Sequence, residues 1–159
     1  MMIEQIAAAL LVWIASHSSY PTAGRLPPPP IVLTTAAELS ALVQKRTDVA
    51  PETARQAWRI HGFFSLDEDD HGTIYLVRPA DTPGAELFQD PTENPIFRER
   101  LLHELVHYAQ YATGAMHDFK CPAMRELMAY HLGGVYLKQR SVADPLPDRM
   151  FLAFWGSRC

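Results

Sequence analysis

An α+β architecture is the expectation for this chain: a small sheet with a hairpin, packed on one long helix that carries H-E-x-x-H, with a second residue-bearing helix behind it. Three features lead there. Residues 94–112 hold an apolar stripe at helical spacing (Phe97, Leu101, Leu105, Tyr108 and Ala112), with His103-Glu104-Leu105-Val106-His107 embedded in it. Two β-rich runs, Arg59 to Leu66 and Thr73 to Val77, flank the turn-forming stretch Asp67-Glu68-Asp69-Asp70-His71-Gly72. A further helical stripe of Met124, Leu127, Met128 and Leu132 follows Cys121-Pro122. At 159 residues a single domain, 1–159, around one core is expected.

Residues 3–17 read as the first helix, with Ile3, Ile6, Ala7, Leu10 and Ile14 on one stripe. The run Ile6 to Ser16 has the look of a secretory core, but no Lys or Arg precedes it and Glu4 does, so a docked helix is expected. Ser18-Ser19-Tyr20-Pro21 closes it, and Pro27 to Pro30 make a stiff extended connector without backbone donors. Ile31-Val32-Leu33 is a short strand. Thr34 or Thr35 then caps a second helix through about Arg46, with Ala36, Leu39, Leu42 and Val43 as its stripe. Residues 47–58 read as a loop plus a helical turn. The acidic cluster at 67–70 lacks the alternating ligands and distal Glu of a calcium loop, which makes it a solvated turn with His71 at the surface.

Asn94 caps the long helix and Pro95 takes its first position, where a missing N–H costs nothing. Thr113-Gly114 ends it. The next helix continues to about Gln139 across Gly133-Gly134, a pair that costs stability unless another backbone packs close there. Pro145 to Trp155 read as a last short helix ending at Gly156.

A net charge of −4 with no basic stripe for phosphates argues against a nucleic-acid partner. No apolar run is long enough for a membrane span. Cys121 and Cys159 lack C-x-x-C spacing, which argues against a thiolate metal site; a disulfide and two free thiols both stay open. The expected location is cytoplasmic, with an exported or periplasmic one as the alternative.

Residues four apart share a helix face, so the His103 and His107 rings can aim at one metal ion. Glu104, one position along, can reach a water on that metal without ligating it. A catalytic zinc takes three protein ligands and keeps one position open. His117, Asp118 and Glu126 are the candidates for the third ligand. Glu126 is favoured, because it lies within a helix that can pack against the motif helix. The positions where a metzincin carries Gly and a third His hold Gln110 and Thr113, which excludes that branch. The bland alternative makes both histidines surface residues and pairs Glu104 with Arg100.

His103-Glu104-x-x-His107, followed 19 residues later by Glu126, resembles the gluzincin branch of zinc metallopeptidases. The Cys121-Pro122, Arg125-Glu126 and Ala129-Tyr130 pairs resemble those of small bacterial zincin-like domains of uncharacterised function, a likeness covering about residues 94–137. The resemblance implies a zincin-like fold, Zn2+ on His103, His107 and Glu126, Glu104 as general base, and a peptide or protein substrate. By position, Thr73 to Val77 would be the strand that pairs with that substrate at the cleft. Gluzincins often place an Asp four residues after the glutamate ligand; Tyr130 stands there and would orient a histidine through its hydroxyl. Tyr75, Tyr108, Tyr130 and His131 are all able to stabilise an oxyanion. The expected function is a zinc-dependent metallopeptidase; the alternative is a zinc-binding module without protease activity. Oligomeric state and cleavage preference are left open.

Overall fold

The computed structural model describes residues 2–45, 61–66 and 72–159. Among these, five α-helices surround a three-stranded sheet: α1 (Ile3–His17), β1 (Ile31–Thr34), α2 (Ala36–Lys45), β2 (Gly62–Ser65), β3 (Thr73–Val77), α3 (Pro95–Ala112), α4 (Arg125–Gln139) and α5 (Arg149–Gly156). The mixed α+β expectation is met. The expected turn at 67–71, the region 47–58, Arg46 and the start of the first hairpin run lie outside the described residues.

The sheet runs in the order β1-β3-β2. β3 pairs in parallel with β1 and antiparallel with β2, so Ile74 stands between Ile31 and Phe64, and Tyr75 between Val32 and Phe63. A parallel pair needs a long crossover, and α2 lies within it. Alternation then sends Ile74 and Leu76 into the core while Tyr75 takes the other face and stacks on Phe63, centroids 5.0 Å apart.

The motif helix α3 occupies the middle of the molecule. Phe97, Leu101, Leu102, Leu105, Val106 and Ala109 are all buried, packed with Ile6, Leu10, Leu11 and Ile14 of α1 and with Leu132, Tyr136 and Leu137 of α4. Each such aliphatic side chain contributes roughly 1.5–3 kcal/mol. The docked reading of α1 therefore holds. The buried face of α3 is wider than the expected stripe because helices pack on two sides of it. Ala112, the last residue of the helix, is exposed instead, and so are Leu127 of α4 and Leu42 of α2.

The caps follow the sequence. The Asn94 carboxamide oxygen accepts from Ile96 N at 2.9 Å while its NH2 donates to the Pro83 carbonyl at 3.0 Å. Thr35 rather than Thr34 caps α2: its hydroxyl accepts from Glu38 N at 3.2 Å, and Glu38 accepts in return from Thr35 N at 2.8 Å.

Gly133-Gly134 has a cause other than the expected close backbone. Arg149 of α5 reaches across α4 to donate to Glu99 of α3 at 2.6 Å, and its other nitrogens hold Asp144 at 2.6 and 2.9 Å. A Cβ on Gly133 would collide with Glu99 Oε1 and lie 2.6 Å from Arg149 Nη1. The pair of glycines is the gap through which a buried guanidinium meets a buried carboxylate. Beyond α5, Cys159 forms a disulfide with Cys121, Cα atoms 5.8 Å apart, which ties the end of the chain to the turn ahead of α4.

Candidate metal centre

His103 and His107, one turn apart on α3, face Glu126 on the first turn of α4. His103 Nε2 lies 3.2 Å from Glu126 Oε2, His107 Nε2 lies 3.3 Å from Glu126 Oε1, and the two Nε2 atoms are 3.3 Å apart. Ligand atoms held about 2.0–2.1 Å from a tetrahedral zinc stand roughly 3.3 Å from one another. The three side chains thus have the spacing of one face of a tetrahedral shell. Two imidazole lone pairs facing at that distance repel unless one nitrogen carries a hydrogen or a metal ion lies between them.

The surface reading of the motif fails on burial: His107 is 5% and Glu104 6% exposed. Burial disfavours the His103 imidazolium, but the Glu126 hydrogen bond and charge, with Glu104 and Glu99 adding, outweigh it and raise the ring to about 9. Burial likewise pushes the Glu126 carboxyl up, and the two histidines more than reverse this, holding it well below the ordinary carboxylate range. Glu104 stands apart from both. Its burial raises its pKa despite the pull of His103 and His107, which leaves a carboxylate with increased affinity for a proton.

Glu104 lies beneath β2. A Cβ on Gly62 would come within 3.1 Å of Glu104 Cγ and 3.2 Å of its Oε1, so the bare backbone of that strand sits directly over the acid. This changes the strand expected to meet a substrate. β3 is the central strand, hydrogen-bonded on both sides, and cannot accept another. Among the described residues β2 is the outer strand on the side of Glu104.

Tyr130 touches the cluster ring to ring, in a T-shaped pair with His103 whose centroids are 4.9 Å apart. Burial, then the charges of Glu126 and Glu104, raise its phenol. Of the other candidate oxyanion donors, Tyr108 gives its hydroxyl to the Pro27 carbonyl at 2.9 Å and so anchors the proline connector. Tyr75 stacks on the sheet, and His131 lines a cavity between α4 and α5 with Lys138, Asp144 and Phe151. His117 and Asp118 fall on a 3-10 turn, Ala115–Asp118, and neither joins the group formed by His103, His107 and Glu126. Asp118 faces a separate hollow with Ser19 and Thr22.

In the sequence Gln110 stands out only as the residue at the metzincin glycine position. It is fully buried, three residues beyond His107 and on the same helix face. Its Oε1 lies 3.2 Å from His107 Nδ1, and its NH2 donates to the Arg125 carbonyl at 3.0 Å. A glutamine three residues beyond the second motif histidine, at helical spacing, was the signal available.

The profile of one family, described as a domain of unknown function (DUF6647), matches residues 2–148. The chain belongs to the DUF6647 family. The matched span includes all three members of the cluster as well as Glu104, Gln110 and Tyr130, so they lie within the DUF6647 domain and not on an appendage to it. Comparison with curated proteins and with solved structures finds no match to either.

Proposed function

We propose that this chain is a zinc-dependent metallopeptidase-like hydrolase of zincin type, with Zn2+ on His103, His107 and Glu126. The observation that carries this reading is the convergence of those three groups at 3.2–3.3 Å, with a fourth, proton-hungry acid alongside. Two nitrogens and a carboxylate suit zinc among the divalent ions. When bound, the metal supplies a water of lowered pKa and polarises a carbonyl.

The residues supply the rest. Glu104 takes the proton of the attacking water and passes it to the leaving amine; its raised pKa suits both halves of that task. Tyr130, whose ring touches His103, is assigned to the developing oxyanion, a role worth on the order of 3 kcal/mol. An extended peptide would lie along the outer edge of β2, where Gly62 lets its backbone approach Glu104.

No helix among the described residues is long and apolar enough to cross a membrane. The Cys121–Cys159 bridge favours the exported or periplasmic location over the cytoplasmic one, since such bonds persist in oxidising compartments.

The test pairs metal analysis with an assay on unstructured peptides. Wild type should hold about one zinc per chain and hydrolyse, and Glu104→Gln should keep the zinc and lose hydrolysis. Zinc without hydrolysis in wild type would leave the other reading, a zinc-binding module without protease activity. No zinc at all would end both.

A further inference from the structure

We infer that Gln110 is a positioning residue of the metal site, which dictates the tautomer of His107 and so presents its Nε2 to the ion. This rests on the zinc reading above. A main-chain carbonyl can only accept a hydrogen bond, so the Gln110 group 3.0 Å from the Arg125 carbonyl must be the NH2. That fixes the side-chain amide the other way round at its far end, where the oxygen faces His107 Nδ1 at 3.2 Å. An amide oxygen also only accepts. Nδ1 must therefore carry the hydrogen, and in the neutral ring Nε2 is left with a bare lone pair, pointed at His103 and Glu126.

The chain of constraint starts at Arg125, the residue immediately before Glu126. One buried side chain thus holds the second histidine in its ligating form and ties it to the backbone that carries the carboxylate. Both ligand-bearing helices are set by the same amide. Partners of this kind around metal-bound histidines typically contribute 10–100-fold in affinity.

The experiment separates that role from simple bracing of two helices. Zinc affinity is measured by chelator competition, and the melting temperature of the metal-free protein alongside it, for wild type, Gln110→Leu and Gln110→Glu. Both variants lose the donation to the Arg125 carbonyl, and both should melt lower. Only Gln110→Leu also loses the acceptor for His107. The expected result is zinc binding ~10–100-fold weaker in Gln110→Leu and close to wild type in Gln110→Glu. Equal zinc affinity in the two folded variants overturns the inference. Should Gln110→Glu fail to fold, the ring 15N spectrum of zinc-loaded wild type decides: a protonated Nδ1 on His107 is expected, and metal on Nδ1 overturns it. A wild type that binds no zinc fails earlier, at the reading on which this one rests.

Discussion

Glu99 and Arg149, 50 positions apart in sequence, meet at 2.6 Å over the bare backbone of Gly133. Both are almost wholly buried, and Asp144 holds the rest of the guanidinium. The bridge joins α3 to α5 across α4. Glu99 lies one turn before His103 on α3, Arg149 at the head of α5, and Gly133 between them lies beyond the cluster on α4.

Alanine at Gly133 tests the gap directly. By helix propensity alone the change would stabilise α4 by about 1 kcal/mol. The added Cβ must displace the ion pair, so a net loss of about 2–4 kcal/mol is expected in urea unfolding. Gly134→Ala, whose Cβ meets Arg149 Cδ at 3.0 Å, should cost less. Stabilisation by Gly133→Ala would mean the pair does not need the space.

Arg149→Met should be worse than losing a contact, since it strands the Glu99 carboxylate in the core. A loss of about 3–5 kcal/mol is expected. Adding Glu99→Gln in the same chain should recover part of it, and a double variant no more stable than Arg149→Met would place the cost elsewhere.

Gly62→Ala should separate metal binding from chemistry. The new methyl would press on Glu104 at 3.1 Å and on Leu76 Cδ1 at 2.8 Å, while the three proposed ligands, His103, His107 and Glu126, are not among the atoms it meets. Zinc content should stay near wild type while hydrolysis falls by at least tenfold, about 1.4 kcal/mol of barrier. Unchanged turnover would show that Glu104 is not held by this strand.

The His103 ring, raised to about 9 in the metal-free protein, must lose its proton before it can ligate. Apparent zinc affinity should therefore climb by up to about tenfold per pH unit from pH 6.5 and level off above about 9. Metal-free stability runs the opposite way. A folded pKa above the unfolded 6.5 means that this contribution is complete below pH 6.5 and is lost as pH rises through about 9. Competition titrations and melting curves over that window check the two signs. Affinity flat with pH would show that His103 carries no proton to be displaced.

Reduction of the Cys121–Cys159 bridge, or Cys159→Ser, should lower stability by about 4 kcal/mol, the chain-entropy value for a closed loop of 38 residues. A melting temperature unmoved by reductant would show that the C-terminal tie adds nothing.

Much of this was readable in advance because it depends on local rules. Spacing of four put the histidines on one face, Asn94 and Pro95 announced the start of α3, and Glu126 could be chosen over Asp118 because it lay on a helix with a packing face. What escaped depends on pairings distant in sequence. Nothing local says that Arg149 crosses α4 to reach Glu99, so Gly133-Gly134 looked like a plea for a neighbouring backbone. Strand order is equally remote: β1 and β3 pair only once α2 has carried the chain over, and that pairing is what moves β3 from the expected edge to the centre. Gln110 was visible but had no assigned use until the Arg125 carbonyl was seen opposite it.

α4 is held at its approach by Cys121–Cys159 and at its first residue by Gln110, and the Glu99–Arg149 bridge crosses its middle at Gly133. The backbone that carries Glu126 is therefore already in place when the polypeptide has folded and does not wait for an ion to dock. A chelator that strips such a centre should leave the far-UV dichroism of the protein almost unaltered, unlike a zinc finger, in which the same treatment melts the chain.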